Sequence, residues 1–594
     1  MAFRDRASAH AALDEMYRRM GAADRCEVFI SLLEHGAAAK ALDRSFAAAP
    51  DGALTGMILA VKDNIDVEGF ATTAACPGFP RTGRPDAAAV AALRREGATI
   101  IGKTNLDQFA TGLVGTRSPY GAVRDSRRPD RISGGSSSGS AVSVAMGFVD
   151  ASLGTDTAGS GRVPAGLQGI IGVKATVGAV SNEGVVPACA SYDCVTVFAE
   201  SAAIAGKIMG IMSRTGSRDW PADLKCAAPD RPIVGIPAEL PGLSESWAAG
   251  FARAVAALRA NGADVRKIDL APSIAAAKML YESPIVSERA EAVGEFVGAA
   301  PATGTVQEGT GYEADAIAGL DPTVAGIVRA AGRFSATDVL AARRELDRRR
   351  RTAMAEWEGV DVVMVPTAPF HPTIAEVQAD PIDVNARMGT YTNFCNLFDL
   401  CAVSVPAGEV AEDDGSSAQF GVTLLGRAFR DGVVADVAAL VGGPVDGDEH
   451  GGSANWVIGR APEMGVLPLV VFGAHLRGQP LNSELTGLGA AFVGDVSTAP
   501  TYRLLALATQ PPKPGLTRVG GEGVAGSRIA GEEWIMSPAA LGTFLAHLPE
   551  PMALGAVELS DGRWVTGFTC QPDAVIGAPD ISRFGGWRNY LQSK

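Results

Sequence analysis

The sequence predicts a large α/β domain, in which a β-sheet is covered by helices, and a small C-terminal domain that is mainly β with some helix. Through residue 443, short β-rich runs alternate with segments whose apolar residues recur at helical spacing. The composition then changes, and the runs that follow are mostly strand-like. A chain of 594 residues is long enough for more than one domain.

The N-terminal elements follow from local patterns. Helical spacing is found at residues 10–20, 27–33 and 87–95. Strand-like runs cover residues 57–61 and 98–102, so that Lys62 lies at the end of a strand. Because strands and helices alternate here, the pattern predicts a largely parallel sheet.

The second half of the large domain continues this pattern. Further strands are predicted at residues 233–236, 360–366, 402–406 and 419–425, with helices at 245–259 and 337–357. The last helix contains ARRELDRRRR, which suggests either a nucleic-acid contact or a solvated face. We favour the solvated face, because 52 Lys and Arg against 66 Asp and Glu give a net charge of −14. This charge argues against nucleic acid or an acidic membrane as partner.

A linker is predicted at residues 444–466, since residues 442–456 are rich in Gly, Asp and Ser. It separates a domain at 1–443 from one at 467–594. In the second domain, strands are predicted at 467–473, 490–496, 502–509 and 532–537, with a hairpin at 558–565 and one helix at 538–548.

The cysteines and the N-terminus indicate a cytoplasmic protein. Eight cysteines occur without a CxxC pair or neighbouring histidines, so neither a zinc site nor a disulfide scaffold is expected. We interpret them as buried thiols in a reducing compartment. Residues 1–20 lack the apolar core of a secretory signal, and no run approaches 18 apolar residues. We expect no cofactor and no metal.

Three segments carry the chemistry: AVKDNID with Lys62, GGSSSG with Ser136, and GTDTAGSGR with Ser160. A serine nucleophile needs a proton acceptor, and none of the six histidines lies in these segments. A buried, neutral lysine can serve instead. Gly/Ser-rich stretches are usually flexible loops, but a second glycine-serine turn directly after a strand favours catalysis.

The glycines of these segments have no side chain, so they allow a bound group to come close to the backbone. The serines of GGSSSG open a helix over residues 141–148, whose first N–H groups are free. In GTDTAGSGR, the amides of Thr157, Ala158, Gly159 and Ser160 can converge as an oxyanion hole. Together the three segments point to hydrolysis of an amide bond.

On these motifs, and on GIIGVKAT at 169–176, the sequence resembles the amidase signature family. The resemblance covers residues 20–445, with Ala158 and Ala175 where glycine and proline are common. It implies the amidase signature fold, a large mixed β-sheet core covered by helices.

The resemblance also implies roles for individual residues. Lys62 becomes the general base, Ser136 a proton-relaying serine on a cis peptide bond, and Ser160 the nucleophile. Ser137 is assigned to the binding site, where it orients the lysine or the relay serine.

Tyr281 and Arg289 are candidates for holding a substrate carboxylate. They are two helical turns apart, so one helix would present both on one side. The alternative is a surface arginine among glutamates. Within the family, the sequence is similar to members that hydrolyse the urea-derived amide allophanate, which implies that this pair binds its carboxylate and that urea carboxylase is a functional partner.

The second domain contains GAHLRGQPLN and is similar to the γ-glutamyl cyclotransferase fold, in which a glycine-rich turn forms a pocket. His475 in this turn is either structural or assists decarboxylation of the product. Alternative functions are an amidase for malonamate, an ammonia-generating component of a tRNA amidotransferase, and a binding or assembly role for the second domain. Apolar N-terminal helices favour a homodimer.

Overall fold

The computed structural model describes residues 3–79, 81–298, 317–412, 414–442, 465–519 and 526–594. Its contacts divide the chain into two units, Met1–Arg218 with Ile233–Val445, and Asp219–Pro232 with Asp446–Lys594. Most of the linker predicted at 444–466 lies outside the described residues, and its boundaries stay a prediction.

The first unit is organised by one mixed sheet. Its strands are β1 (Phe29–Leu32), β2 (Ile58–Lys62), β3 (Thr99–Thr104), β4 (Ala151–Asp156), β5 (Ile171–Lys174), β6 (Cys194–Ala199), β7 (Ile233–Pro237), β8 (Asp264–Ile268), β9 (Val362–Pro366), β10 (Leu400–Ala411) and β11 (Ser417–Arg427). In the described residues the order is β1-β3-β2-β4-β6-β5-β10-β11-β9-β7-β8. Every residue of β2, β3, β4 and β6 is buried, as expected for a sheet covered on both faces.

Helices cover this sheet. Their bounds are α1 (Arg6–Ala22), α2 (His35–Ala48), α3 (Ala88–Arg95), α4 (Ser138–Ala145), α5 (Val163–Gln168), α6 (Ala202–Met212), α7 (Glu245–Ala260), α8 (Ala271–Ala277), α9 (Met279–Glu282), α10 (Ser287–Val297), α11 (Pro322–Ala331), α12 (Ala336–Ala355), α13 (Ile374–Ala379), α14 (Asp383–Met388), α15 (Phe394–Leu397) and α16 (Asp431–Gly442). The predicted α/β class, with a large mixed sheet, is confirmed.

Two predictions from local patterns are wrong. The sheet is not largely parallel: β2 pairs in parallel with β3 and β4, and β7 with β8 and β9, whereas the other pairs are antiparallel. The short connection between β10 and β11 permits only an antiparallel hairpin. Residues 27–33 do not form the predicted helix: only Glu27 and Val28 are helical, in a short 3-10 helix at Cys26–Val28, and Phe29–Leu32 pairs with β3, which overrides local propensity.

The second unit is small and mainly β, as predicted. Its elements are β12 (Leu467–Val471), α17 (Asn482–Gly487), β13 (Ala491–Ser497), β14 (Tyr502–Leu507), β15 (Lys513–Arg518), β16 (Ala530–Met536), α18 (Pro538–Ala546), β17 (Met552–Glu558), β18 (Trp564–Cys570) and α19 (Trp587–Gln592). The described strands form a sheet in the order β13-β16-β12-β18-β17 and the pair β14-β15. The sequence patterns missed β15, α17 and α19.

A short segment of the N-terminal half packs with this second unit. The amide of Cys226 donates to the carbonyl of Gly489 (2.8 Å), and the amide of Ala539 donates to the carbonyl of Ala222 (3.0 Å). These hydrogen bonds explain why residues 219–232 belong to the second unit.

Candidate active site

Lys62 is the last residue of β2 and is fully buried. Its Nζ donates to Ser136 Oγ (2.8 Å) and to Thr155 Oγ1 (2.8 Å). Because β2 pairs in parallel with β4, the sheet itself brings Thr155 next to the lysine. The structure therefore joins two of the predicted residues, Lys62 and Ser136, and adds a threonine that the sequence did not reveal.

The protonation of Lys62 is set by its burial. Loss of hydration lowers the pKa of Lys62 from 10.5 to about 7, while the carboxylates of Asp107, Asp156 and Asp193 act in the opposite direction. A pKa near 7 leaves a substantial neutral fraction at neutral pH. This amine can therefore accept a proton, as a general base must.

The peptide bond between Gly135 and Ser136 is cis. Asp107 anchors this segment: its amide donates to the Ser136 carbonyl (3.1 Å), and its Oδ2 accepts from the amides of Val114 (3.1 Å) and Gly115 (2.9 Å). A Cβ at position 135 would lie 2.1 Å from Asp107 Oδ2, so only glycine fits there. Close packing thus holds the backbone on which Ser136 faces the lysine.

Ser160 lies in the turn that follows β4, and a buried ion pair braces this turn. Arg162 donates through Nε and NH2 to the two oxygens of Asp156 (2.9 Å each), and the Gly161 amide donates to the same carboxylate (2.9 Å). Neither charged side chain is exposed. A paired, hydrogen-bonded charge is tolerated in the interior, whereas loss of one partner is costly.

The amides of Thr157, Ala158, Gly159 and Ser160 have no acceptor among the described residues. Within this part of the chain, Ser160 Oγ also forms no hydrogen bond, so the contact between Ser136 and Ser160 that the resemblance implies is not formed. Gly159 has φ +145°, and a Cβ there would lie 2.4 Å from Thr392 Oγ1. The turn therefore presents four unused donors beside a free hydroxyl.

Ser137 forms no hydrogen bond with Lys62 among the described residues. Its buried hydroxyl donates to the Thr155 carbonyl (3.0 Å) and accepts from the Thr155 amide (3.3 Å). Ser137 instead fastens the start of α4 to the end of β4, which positions the threonine that contacts Lys62.

Tyr281 and Arg289 are in contact, although not on one helix as the spacing predicted. Tyr281 lies in α9 and Arg289 near the start of α10, because Ser283 and Pro284 interrupt the helix between them. Arg289 donates to the tyrosine hydroxyl (3.1 Å) and to Thr111 Oγ1 (2.9 Å). The arginine is buried, not on the surface, and its Nε has no partner among the described residues.

Sequence reasoning missed Thr155, Asp107, Asp193 and the Asp156–Arg162 pair. Opposite charges flanking a glycine-rich turn were a usable signal for the last of these, since charged side chains that are buried need a partner of opposite charge. Nothing in the sequence indicated that Asp107 or Asp193, which lie in other loops, would approach the lysine.

In the second unit, His475 lines a cavity together with Lys513 and Phe568. The ring stacks on Phe568 (centroids 4.8 Å apart), and Nε2 contacts Glu484 Oε2 (2.9 Å). Burial is the main cause that lowers the pKa of His475, so the ring is neutral at neutral pH. Lys513 is also buried, and its ammonium has no hydrogen-bonding or ionic partner among the described residues.

The thiols and possible metal ligands are dispersed. All eight cysteines are free, and Cys26 is exposed, which corrects the expectation that every thiol is buried. The described residues contain no group of three or more His, Cys, Asp or Glu side chains that could hold a metal ion. In the same part of the chain, we find no helix that meets the length and hydropathy needed for a membrane span.

Comparison with known families places this geometry in context. Residues 11–434 match the family described as Amidase. The chain belongs to the amidase family. As a member of this family it is a hydrolase that acts on C–N bonds, and residues 467–592 match a second family, described as Allophanate hydrolase C-terminal domain.

The relatives of this amidase differ in length, so the chain covers a different share of each. It is 40% identical over 563 residues to the urea amidolyase of Lachancea kluyveri, covering 91% of this chain but only 30% of that protein. It is 34% identical over 405 residues to a glutamyl-tRNA(Gln) amidotransferase component from Natronomonas pharaonis, covering 64% of this chain and 93% of that protein. The structure of the allophanate hydrolase of Kluyveromyces lactis matches with a TM-score of 0.81 and 36% identity, covering 98% of this chain and 97% of that one.

Proposed function

We propose that this chain hydrolyses allophanate, with Ser160 as nucleophile, Ser136 as proton relay and Lys62 as base. The observation that carries the proposal is the 2.8 Å contact between Lys62 Nζ and Ser136 Oγ, made by a lysine whose pKa is lowered to about 7. Similarity to an allophanate hydrolase over nearly its whole length supports the choice of substrate.

In the first step, Ser160 Oγ attacks the terminal carbamoyl carbon of allophanate. Its proton passes to Ser136 as Ser136 gives its own proton to neutral Lys62. The negative charge that develops on the carbonyl oxygen faces the four amides of residues 157–160, which have no other acceptor among the described residues. Catalytic hydrogen bonds commonly tighten only around bound substrate, so the Ser136–Ser160 contact forms at this stage.

In the second step, the amine leaves as ammonia after it receives a proton back through the same relay. Water then attacks the ester on Ser160, and the same groups assist in reverse order. The net reaction converts allophanate and water into N-carboxycarbamate and an ammonium ion. Ser136 and Lys62 are sufficient for the proton transfers of both steps, because Lys62 returns to its neutral form at the end of each step.

Arg289 and Tyr281 would bind the carboxylate of allophanate. Support comes from the buried guanidinium, whose Nε has no partner and which forms no ion pair with a carboxylate among the described residues. Asp193 and Glu288 act on it only through space, so the carboxylate of an anionic substrate would supply the missing direct partner.

Replacement of this arginine gives the first test. We expect Arg289→Gln to lower kcat/KM for allophanate by about 10²- to 10³-fold, mainly through KM, because a buried charge pair is lost. Arg289→Lys should recover only part of this loss, since lysine lacks the bidentate fork. Biuret, in which an amide replaces the carboxylate, is the control substrate. Equal effects on allophanate and biuret would exclude the carboxylate clamp.

Malonamate is the second candidate substrate. It carries the same carboxylate and terminal amide, with CH2 in place of NH, so the arginine and tyrosine do not distinguish the two. Parallel assays of ammonia release from both compounds decide between them. The tRNA amidotransferase alternative requires a stable complex with a tRNA-binding partner, which copurification would reveal.

For the second unit we propose a γ-glutamyl cyclotransferase-like fold that receives N-carboxycarbamate at the glycine-rich turn that carries His475. His475 would assist its decarboxylation, and Lys513, which has no ionic partner in the part of the chain that the structure describes, would attract its carboxylates. Support comes from the position of His475 and Lys513 in the lining of one cavity, where the His475 ring stacks on Phe568.

We expect His475→Gln to leave release of the first ammonia unchanged and to slow carbon dioxide release by at least about 10²-fold. The measurement follows 13C-labelled intermediate by NMR during turnover. His547→Gln, at an exposed histidine of the same unit, is the matched control. Carbon dioxide release at the wild-type rate would remove His475 from the reaction.

We further propose a cytoplasmic homodimer, with domains at 1–443 and 467–594, that works after urea carboxylase. Carboxylation of urea is the reaction that makes allophanate, and the urea amidolyases that match this chain extend well beyond the matched region, which is 30% of their length. Light scattering after size exclusion tests the dimer against the chain mass of 61.0 kDa.

A further inference from the structure

Asp193 is a buried carboxylate that the proposed reaction does not use. It lies just before β6, and its oxygens accept from the amides of Ala188 (2.8 Å) and Cys189 (3.1 Å) and from the hydroxyl of Thr157. The amide donors come from its own loop, but Thr157 belongs to the turn that carries Ser160. One carboxylate therefore joins two separate loops.

A second contact joins the same two loops. Asn396 Nδ2 donates to the carbonyls of Asp156 (2.8 Å) and Tyr192 (2.9 Å), the residues that immediately precede Thr157 and Asp193. The start of the turn that carries Ser160 is thus held at two adjacent residues, at Asp156 through its backbone carbonyl and at Thr157 through its side chain. Free rotation of the Thr157 peptide group is thereby restricted.

The charge of Asp193 acts on both ends of the site. It stabilises the ammonium form of Lys62, as do the carboxylates of Asp107 in the loop after β3 and Asp156 at the end of β4. Burial raises the pKa of Asp193, whereas its hydrogen bonds and, from α10, the guanidinium of Arg289 favour the ionised form. Asp193 therefore interacts electrostatically with both the proposed base, Lys62, and the arginine of the proposed carboxylate clamp, Arg289.

Helix α10 is attached to the same loop. Glu288, the neighbour of Arg289, accepts from the Ser191 amide (2.9 Å) and from Arg343 (3.1 Å). The loop of residues 188–193 consequently contacts the element that carries the arginine and the turn that carries the nucleophile. A displacement of this loop would affect both.

We propose that Asp193 is a positioning residue for amide hydrolysis, which orients the Thr157 end of the oxyanion turn and whose charge tunes the Lys62 base. This inference rests on the proposed function, because it assigns a task to the turn and to the lysine. Asp193 lies in a different loop from Lys62, Ser136 and Ser160, the three residues predicted to be catalytic.

The test is Asp193→Asn in the full chain. Loss of orientation should lower kcat for allophanate by about 10²-fold, comparable to the loss of one oxyanion donor, with a much smaller change in KM. Removal of a negative charge also disfavours the ammonium form of Lys62. The acid limb of the pH profile, where activity rises as Lys62 loses its proton, should therefore move to lower pH.

Thr157→Val tests the route of this effect. Valine has the shape of threonine without its hydroxyl, so kcat should fall while the acid limb stays in place. The double variant should be no slower than the slower single variant, because both remove one interaction. Thr157→Ser, which keeps the hydroxyl, should restore turnover. Additive losses in kcat would overturn the positioning role.

Asp431→Asn is the matched control. Asp431 is likewise buried and accepts from the amide (2.9 Å) and hydroxyl (2.7 Å) of a threonine, Thr176, but it is not among the charges that act on Lys62. Its replacement should leave the acid limb in place. An unmoved limb in Asp193→Asn would overturn the electrostatic role. Should Ser160→Ala retain turnover, the proposed function itself fails, which is a distinct outcome.

Discussion

Ser160→Ala is expected to reduce ammonia release from allophanate by at least about 10⁴-fold, because it removes the proposed nucleophile from the turn whose four amides have no acceptor among the described residues. The fold should be unaffected, since Ser160 Oγ forms no hydrogen bond with a described residue. A continuous ammonia assay on the purified variant, together with its thermal unfolding midpoint, measures both effects.

Ser143→Ala provides a matched control for this experiment. Ser143 is a buried serine of α4 whose hydroxyl donates only to the Ser140 carbonyl (2.9 Å). Its replacement should preserve turnover. Substantial ammonia release by Ser160→Ala, with Ser143→Ala unchanged, would show that a different group is the nucleophile.

Lys62→Met is expected to lower kcat by about 10³-fold or more and to remove the acid limb near pH 7. Methionine fills a similar volume but cannot accept a proton, and Ser136 and Thr155 lose their shared donor. In the wild type, activity requires neutral Lys62, so it rises with pH through about 7. Stopped-time ammonia assays across the acid limb, on both sides of this pKa, provide the measurement.

The same variant should be more stable than the wild type below the unfolded-state pKa of lysine. Lys62 has a pKa lowered from 10.5 to about 7 on folding, so the unfolded chain binds more protons between these values. Burial of the lysine therefore destabilises the wild type at low pH, and stability recovers with rising pH by about 1.4 kcal/mol per unit over this window. Lys62→Met removes both the cost and this slope.

Lys40→Met, at an exposed lysine of α2, is the control for both measurements. It should change neither the acid limb nor the dependence of urea unfolding on pH. An acid limb that persists near pH 7 in Lys62→Met would assign it to another group. A wild-type stability profile in that variant would argue that Lys62 carries no cost of burial.

Local sequence patterns predicted most strands and the helices α1, α3, α4, α7, α12 and α18, because the apolar spacing of these elements is dictated by the faces they bury. Most of the other helices were not predicted. These patterns failed where the secondary structure or the strand direction depends on which strand a segment pairs with. Residues 29–32 became an edge strand, and strand directions beyond β4 depended on contacts between segments far apart in the chain. The spacing of Tyr281 and Arg289 correctly suggested contact, but Pro284 separates them into two helices.

Lys62, Ser136 and Ser160 were singled out by the sequence alone as candidates, because a lysine after an apolar strand and serines in glycine-rich turns are residue types suited to this chemistry, and the family resemblance then implied the role of each. The lowered pKa of that lysine, its contact with Thr155, the bracing of the turn by Asp156 and Arg162, and the approach of Asp193 were decided only by tertiary structure. Burial and through-space charge depend on which distant segments the fold brings together, and no local pattern encodes them.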